Sequence, residues 1–180
     1  MSNDDILEVL ELTGKLLELH GENEFKIRSY QNAAYSLDKS PADLATLPLA
    51  ELAQMTGVGK SLAAKIDEIR RTGELKELNE LLSRTPEGVQ EMFRIKGIGP
   101  KKIRQLWLDA GIDDLDKLLK AAENGDVSHL KGFGERLQDT ILTNLRFLSE
   151  SNTKLRMNKG EALAQILFDA LETQFDQVEI

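Results

Sequence analysis

Ile95-Lys96-Gly97-Ile98-Gly99 places an apolar residue between two glycines, and the chain carries the same pattern twice more. Met55-Thr56-Gly57-Val58-Gly59 precedes it and Leu130-Lys131-Gly132-Phe133-Gly134 follows it. Each copy leads into a helical pattern with an apolar residue seven positions after the second glycine, at Ile66, Leu106 and Ile141. Repetition of one short unit points to one supersecondary element used three times. An apolar residue between glycines, flanked by helices, describes a helix-hairpin-helix. The glycines allow positive φ and strip the hairpin of side chains, so its backbone can approach another surface closely. The apolar middle residue anchors the turn between the two helices. The hairpin amides at Gly57 and Gly59, Gly97 and Gly99, and Gly132 and Gly134 then face outward with the start of the next helix, a seat for one phosphate each. Basic residues stand in the first turn of each following helix: Lys60, then Lys101 and Lys102, then Arg136. Such contacts hold a nucleic-acid backbone without reading its sequence.

Working outward, apolar residues recur at helical spacing through Ile6, Val9, Leu10, Leu16 and Leu17, through Tyr30, Ala33, Ala34 and Leu37, and through Leu62, Ile66 and Ile69. Alternating strand patterns are nearly absent. Gly21, Pro41, Pro48, Gly73, Pro86, Pro100, Gly111 and Gly125 cut the chain into helices of about three turns or less. The predicted fold is all-α, an array of short helices with three helix-hairpin-helix motifs. The polar stretches Ser83-Arg84-Thr85-Pro86-Glu87-Gly88 and Ser149-Glu150-Ser151-Asn152-Thr153 divide it into segments 1–84, 85–150 and 151–180.

Composition narrows the function. The 180 residues are 41% hydrophobic and 30% charged, and no apolar run approaches the ~20 residues that cross a bilayer. No membrane partner is expected. The acidic start, Met-Ser-Asn-Asp-Asp, does not read as a secretory leader, so a cytoplasmic location is expected. Without cysteine there is no disulfide, thiolate nucleophile or thiolate metal site, and His20 and His129 lack ligand spacing. The net charge of −8 argues against nucleic acid until it is resolved along the chain: −5 over residues 1–50, +2 over 51–110 and −5 over 111–180. The basic excess sits where two of the three hairpins lie.

Longer stretches carry a family likeness. Gly21-Glu-Asn-Glu-Phe25-Lys26-Ile-Arg28-Ser-Tyr30-Gln-Asn-Ala33-Ala34, Met55 to Glu68, Thr72-Gly73-Glu-Leu75 and Ile95 to Lys102 resemble the amino-terminal half of family X, or beta-like, DNA polymerases, most closely the bacterial ones. The likeness covers nearly the whole chain. It implies a DNA-end-binding domain followed by a DNA-gripping subdomain, in a bacterial, nucleoid-associated protein of DNA repair. It implies a monovalent cation, sodium or potassium, on main-chain carbonyls matching Met55 and Val58 in one hairpin and Phe93, Ile95 and Ile98 in the next. Lys159 to Leu171 reads as an amphipathic helix and Gln177-Val178-Glu179-Ile180 as a strand start, together the opening of a truncated polymerase palm. The Mg-dependent two-metal site would lie beyond it, in a palm supplied in cis or in trans. By this reading, the 180 residues alone do not polymerise DNA.

The likeness also assigns a chemistry. Lys65 matches the lysine that attacks an abasic sugar to form a Schiff base, while Lys26 and Tyr30 match positions that hold the 5′-phosphate. With Leu62 at zero and about 100° per residue, Ile66 falls near 40°, Ile69 near 340° and Lys65 near 300°. Lys65 therefore flanks the apolar stripe, where a lysine lowers its stem onto apolar surface and pairs with a neighbour such as Asp67 or Glu68. The match departs at three places: the second pocket lysine falls at Ser61, the proton-shuttling glutamate at Ala64, and a histidine at Phe25. Phe25 reads equally as core or as a stacking face, Trp107 as core and His129 as exposed. Three functions follow: a family X DNA-binding region at gapped, nicked or recessed ends with abasic-site lyase activity, a non-catalytic helix-hairpin-helix adaptor on DNA, or a protein-interaction scaffold.

Overall fold

The computed structural model describes residues 2–148, and their regular structure is helical throughout, as the periodicity predicts. Helix α1 spans Asn3–His20. Ser2 caps it: its Oγ accepts the Asp5 N–H at 3.1 Å while the Asp5 carboxylate accepts the Ser2 N–H at 2.7 Å. Gly21 ends it at φ +69, a left-handed conformation that returns the Gly21 N–H to the Glu18 carbonyl at 3.1 Å. Helix α2 spans Glu24–Asp38. The 18 residues of α1 and 15 of α2 exceed the three turns predicted, because nothing between their caps breaks a helix. Gly14, inside α1, serves close packing instead: a Cβ there would stand 3.3 Å from Tyr30 Cβ on α2.

Helix α3 (Leu49–Leu52), opened by Pro48, leads to the first hairpin and α4 (Gly59–Thr72), which Gly73 closes at φ +79. Helices α5 (Lys76–Ser83) and α6 (Glu87–Glu91) follow, and α6 runs through a 3-10 turn at Met92–Arg94 into the second hairpin. Helix α7 (Pro100–Arg104) takes Pro100 in its first turn, where the missing N–H is harmless, and widens into a π-turn over Gln105–Asp109. Helix α8 spans Leu115–Glu123, a 3-10 turn spans Asp126–His129, and after the third hairpin residues 135–148 form α9.

Packing groups the described residues into two compact units, which divide after residue 118. In the first, α1 lies against α2, α4, α5 and α7, burying Ile6, Leu10, Leu16, Leu17 and Leu19 with Tyr30, Ile66, Ile69, Leu78, Leu81 and Ile103. At ~25 cal/mol per Å² this shared apolar burial is what orders four short helices that would not persist alone. The stretch Ser83–Gly88 lies inside this unit. Thr85 is buried, takes a hydrogen bond from His20 at 2.8 Å and donates to the Leu81 carbonyl, and Gln90 Nε2 donates to the carbonyls of Thr85 at 2.8 Å and Leu82 at 3.2 Å. The second unit buries Val127, Phe133, Ile141 and Leu145, and Gln138 accepts the Ser128 N–H at 2.9 Å across the third hairpin. The palm helix and strand expected over 159–180 lie outside the described residues.

Candidate nucleic-acid interface

The three hairpins share one construction. Their middle residues are inside, with Val58 4%, Ile98 7% and Phe133 6% exposed, and the apolar residues seven positions on, Ile66, Leu106 and Ile141, are fully buried. The glycines on either side of each middle residue face solvent. Gly57, Gly97 and Gly132 have φ of +80, +93 and +81, so a side chain would strain the turn at the same point in each copy. Gly99 differs, with φ −103, and its carbonyl starts α7 by accepting the Lys102 and Ile103 N–H groups at 3.0 Å. Lys60, Lys101 and Arg136 each occupy the second residue of their helix and are exposed, and Lys102 beside them is half-buried. Positive charge thus stands at a helix start in all three places, where an anion is favoured. At the second hairpin a cleft of about 270 Å³ is lined by Gly97, Gly99, Pro100, Lys101 and Lys102, and by Glu18 of α1, whose carboxylate stands 3.8 Å from Lys101 Nζ. Glu18 therefore departs from the solvated acidic face that Asp4, Asp5, Glu8 and Glu11 form on α1.

The structure brings Lys26, Tyr30 and Lys65 together around a residue that sequence reasoning did not single out. Glu77, in the first turn of α5, takes Lys26 Nζ on Oε1 at 2.6 Å and both the Tyr30 hydroxyl, at 2.5 Å, and Lys65 Nζ on Oε2. Lys65 Nζ also sits 5.6 Å from the centre of the Tyr30 ring. The Glu77 side chain is 18% exposed, and those of Lys65 and Lys26 are 26% and 41% exposed. Burial pushes the Glu77 carboxyl up, but hydrogen bonds from Lys26, Lys65 and Tyr30 outweigh it and hold the group at about 2. Burial, then the bond to Glu77, drives the Tyr30 phenol far above its ordinary value. The partners suggested for Lys65 by helix spacing are engaged elsewhere. Asp67 receives Arg70 at 2.6 Å and Arg71 at 3.7 Å, and Glu68 accepts the Lys76 amide at 2.8 Å.

Comparison with known proteins agrees with the hairpin architecture. Residues 1–75 match the helix-hairpin-helix domain family and residues 89–146 match the SAM-like helix-hairpin-helix tandem. The DNA polymerase/3'-5' exonuclease PolX of Bacillus subtilis (strain 168) is 31% identical over 142 residues, 79% of this chain and 25% of its own. The chain is similar to the amino-terminal half of a family X polymerase. A DNA ligase of Treponema denticola is 34% identical over 121 residues, 67% of this chain and 17% of its own. The chain thus spans about a quarter or less of the length of these relatives.

The remaining positions of the family X likeness fall as follows. Ser61 and Ala64 are exposed on α4. Phe25 is 83% exposed, which removes the core reading and leaves an aromatic face open beside Lys26. Trp107 is half-buried with its ring edge-on to His20 at 5.7 Å, consistent with packing rather than stacking on a base, and His129 is exposed with Nδ1 2.9 Å from the Gly125 carbonyl. The carbonyl of Met55 accepts the Val58 N–H at 3.1 Å, which leaves one of its lone pairs. Among the described residues no group of three or more His, Cys, Asp or Glu could hold a metal ion. No helix among them is long and apolar enough to cross a membrane.

Proposed function

We propose that this chain is a DNA-binding region of a family X repair polymerase, which grips the DNA backbone without regard to sequence at gaps, nicks and recessed 5′-phosphate ends. The observation that carries the reading is the threefold hairpin: a buried anchor at Val58, Ile98 and Phe133 beneath exposed glycines and an exposed cation at Lys60, Lys101 and Arg136. A sodium or potassium ion on the hairpin carbonyls of Met55 and Val58, and of Phe93, Ile95 and Ile98, would add one more charge beside the phosphate. Nucleotidyl transfer with Mg would belong to a palm in cis or in trans, and such a protein would work in the bacterial cytoplasm on the nucleoid.

The finer activity is removal of a 5′-deoxyribose phosphate. Lys65 would add its amine to the sugar aldehyde with loss of water, a base would take the proton next to the imine, and the 3′-phosphate would leave with the bond electrons. A second reading, a helix-hairpin-helix adaptor that binds DNA without this chemistry, is favoured by the Glu77 carboxylate on Lys65 and by Ser61 and Ala64. Borohydride trapping on gapped duplex carrying a 5′-deoxyribose phosphate separates the two. An adduct that disappears in Lys65→Ala establishes the lyase, and binding without any adduct establishes the adaptor. Binding is measured on the same duplex between about 50 and about 200 mM salt, where a backbone grip of several phosphates weakens by orders of magnitude. Equal binding at all salt concentrations would overturn the DNA reading.

A further inference from the structure

We propose that Glu77 is a specificity-determining residue: its carboxylate is an internal competitor for the terminal 5′-phosphate, held on the donors that such a phosphate would use. The inference rests on the DNA-end reading above and deepens it. Three donors from two helices, Lys26 and Tyr30 of α2 and Lys65 of α4, converge on one carboxylate at the start of α5. Oε1 takes one donor and Oε2 takes two, so both carboxylate oxygens are engaged. This is the donor set a phosphate needs: two ammonium groups and a hydroxyl, partly withdrawn from water so that their hydrogen bonds are not screened.

The charge count makes the competition specific. The groups facing one another are Lys26 and Tyr30 from α2, Lys65 from α4 and Glu77 from α5, and the neighbouring Glu68 is turned to the Lys76 amide. With Glu77 ionised the four hydrogen-bonded groups carry one net positive charge, further offset by the Glu68 carboxylate that acts on Tyr30, too little for a phosphate dianion that would also sit beside a carboxylate. Removal of that single charge leaves two. A 5′-phosphate enters the native cluster only by turning Glu77 out of three hydrogen bonds, whereas a phosphate inside the strand meets, among the described residues, no carboxylate paired with Lys60 at the first hairpin and only the single long contact of Glu18 with Lys101, 3.8 Å, at the second. Glu77 therefore sets how strongly an end is preferred over continuous backbone.

The test compares the full chain and Glu77→Gln on a duplex with a single-nucleotide gap, its margin bearing either a 5′-phosphate or a 5′-hydroxyl, at one fixed salt. Glutamine keeps the shape and an acceptor for the Tyr30 hydroxyl but not the charge. The phosphate-over-hydroxyl affinity ratio is expected to rise about tenfold in E77Q, the scale of one charge-assisted hydrogen bond, while affinity for the hydroxyl duplex moves by less than about threefold. Lys26→Ala in the E77Q background should return the ratio to the wild-type value. A folded E77Q with an unchanged or lower ratio overturns the proposal, as does a gain that survives Lys26→Ala. If E77Q does not fold, Glu77→Asp, which withdraws the carboxylate by one methylene, is read by the same ratio. Absence of binding to both duplexes by the wild type is the distinct outcome that overturns the DNA-end reading and takes this inference with it.

Discussion

Gly88 meets Asp114 backbone to backbone: a Cβ on Gly88 would stand 2.5 Å from Asp114 Cα and 2.6 Å from the Asp113 carbonyl oxygen. Neither neighbour is a flexible side-chain end, so an added methyl must move the main chain. Gly88→Ala is expected to destabilise the protein by about 2 kcal/mol or more, in the range of overpacking with backbone shift. A urea melt with an unchanged midpoint would show that α6 and the segment before α8 separate freely.

The Glu77 cluster is a stability element as well. Glu77→Ala leaves Lys26 and Lys65 facing each other with no counter-charge and the Tyr30 hydroxyl without its acceptor. A decrease of about 1–2 kcal/mol is expected, discounted from a fully buried pair because both lysines touch water. Thermal unfolding at neutral pH measures it, and a melting temperature equal to wild type would mean that solvent replaces Glu77 without penalty.

Acid unfolding should report the same group. Glu77 is held at about 2 against an ordinary 4.5, a depressed value. The folded state therefore binds fewer protons there than the unfolded one, and the Glu77 contribution is complete above about pH 4.5 and disappears as pH falls towards about 2. Wild-type stability should fall more steeply than that of Glu77→Gln across this window. Parallel curves would place the stabilisation elsewhere.

Arg104 ties α7 to the end of α1. Its Nη1 donates to the Leu19 carbonyl at 2.7 Å, and its guanidinium lies over Gly21, where a Cβ would be 3.1 Å from Cζ. Arg104→Ala frees one terminal carbonyl of α1 and should lower stability by about 1–2 kcal/mol, the scale of one hydrogen bond to a charged group. Amide exchange at Gly21 and Glu22 should quicken in the variant, and unchanged exchange would show that α1 ends independently of α7.

The hairpin cations make a separate prediction on DNA. Lys60→Ala, Arg136→Ala and the double Lys101→Ala with Lys102→Ala should each weaken binding alike on unrelated duplex sequences. Removing one cation from a phosphate should lower the slope of log affinity against log salt by about 0.9. A change in sequence preference, or none in the slope, would contradict backbone gripping.

Sequence by itself determined the three hairpins and the helical class. These are local properties: two glycines around an apolar residue dictate the turn, and the buried positions of Ile66, Leu106 and Ile141 follow from helical spacing after it. The placement of Lys26, Tyr30 and Lys65 near one another was legible only through the family likeness. Their convergence on the Glu77 carboxylate was decided by tertiary structure alone. Along α5, Glu77 and Glu80 are alike in type and neighbourhood, yet Glu80 meets Lys76 at 3.9 Å in solvent while Glu77 meets Tyr30, 47 positions earlier in the chain. The same holds for Gly88, which reads as a linker glycine until the backbone of Asp114 is brought against it. No spacing rule in one segment encodes which distant segment it will face, because that choice is made by the joint burial of α1, α2, α4 and α5.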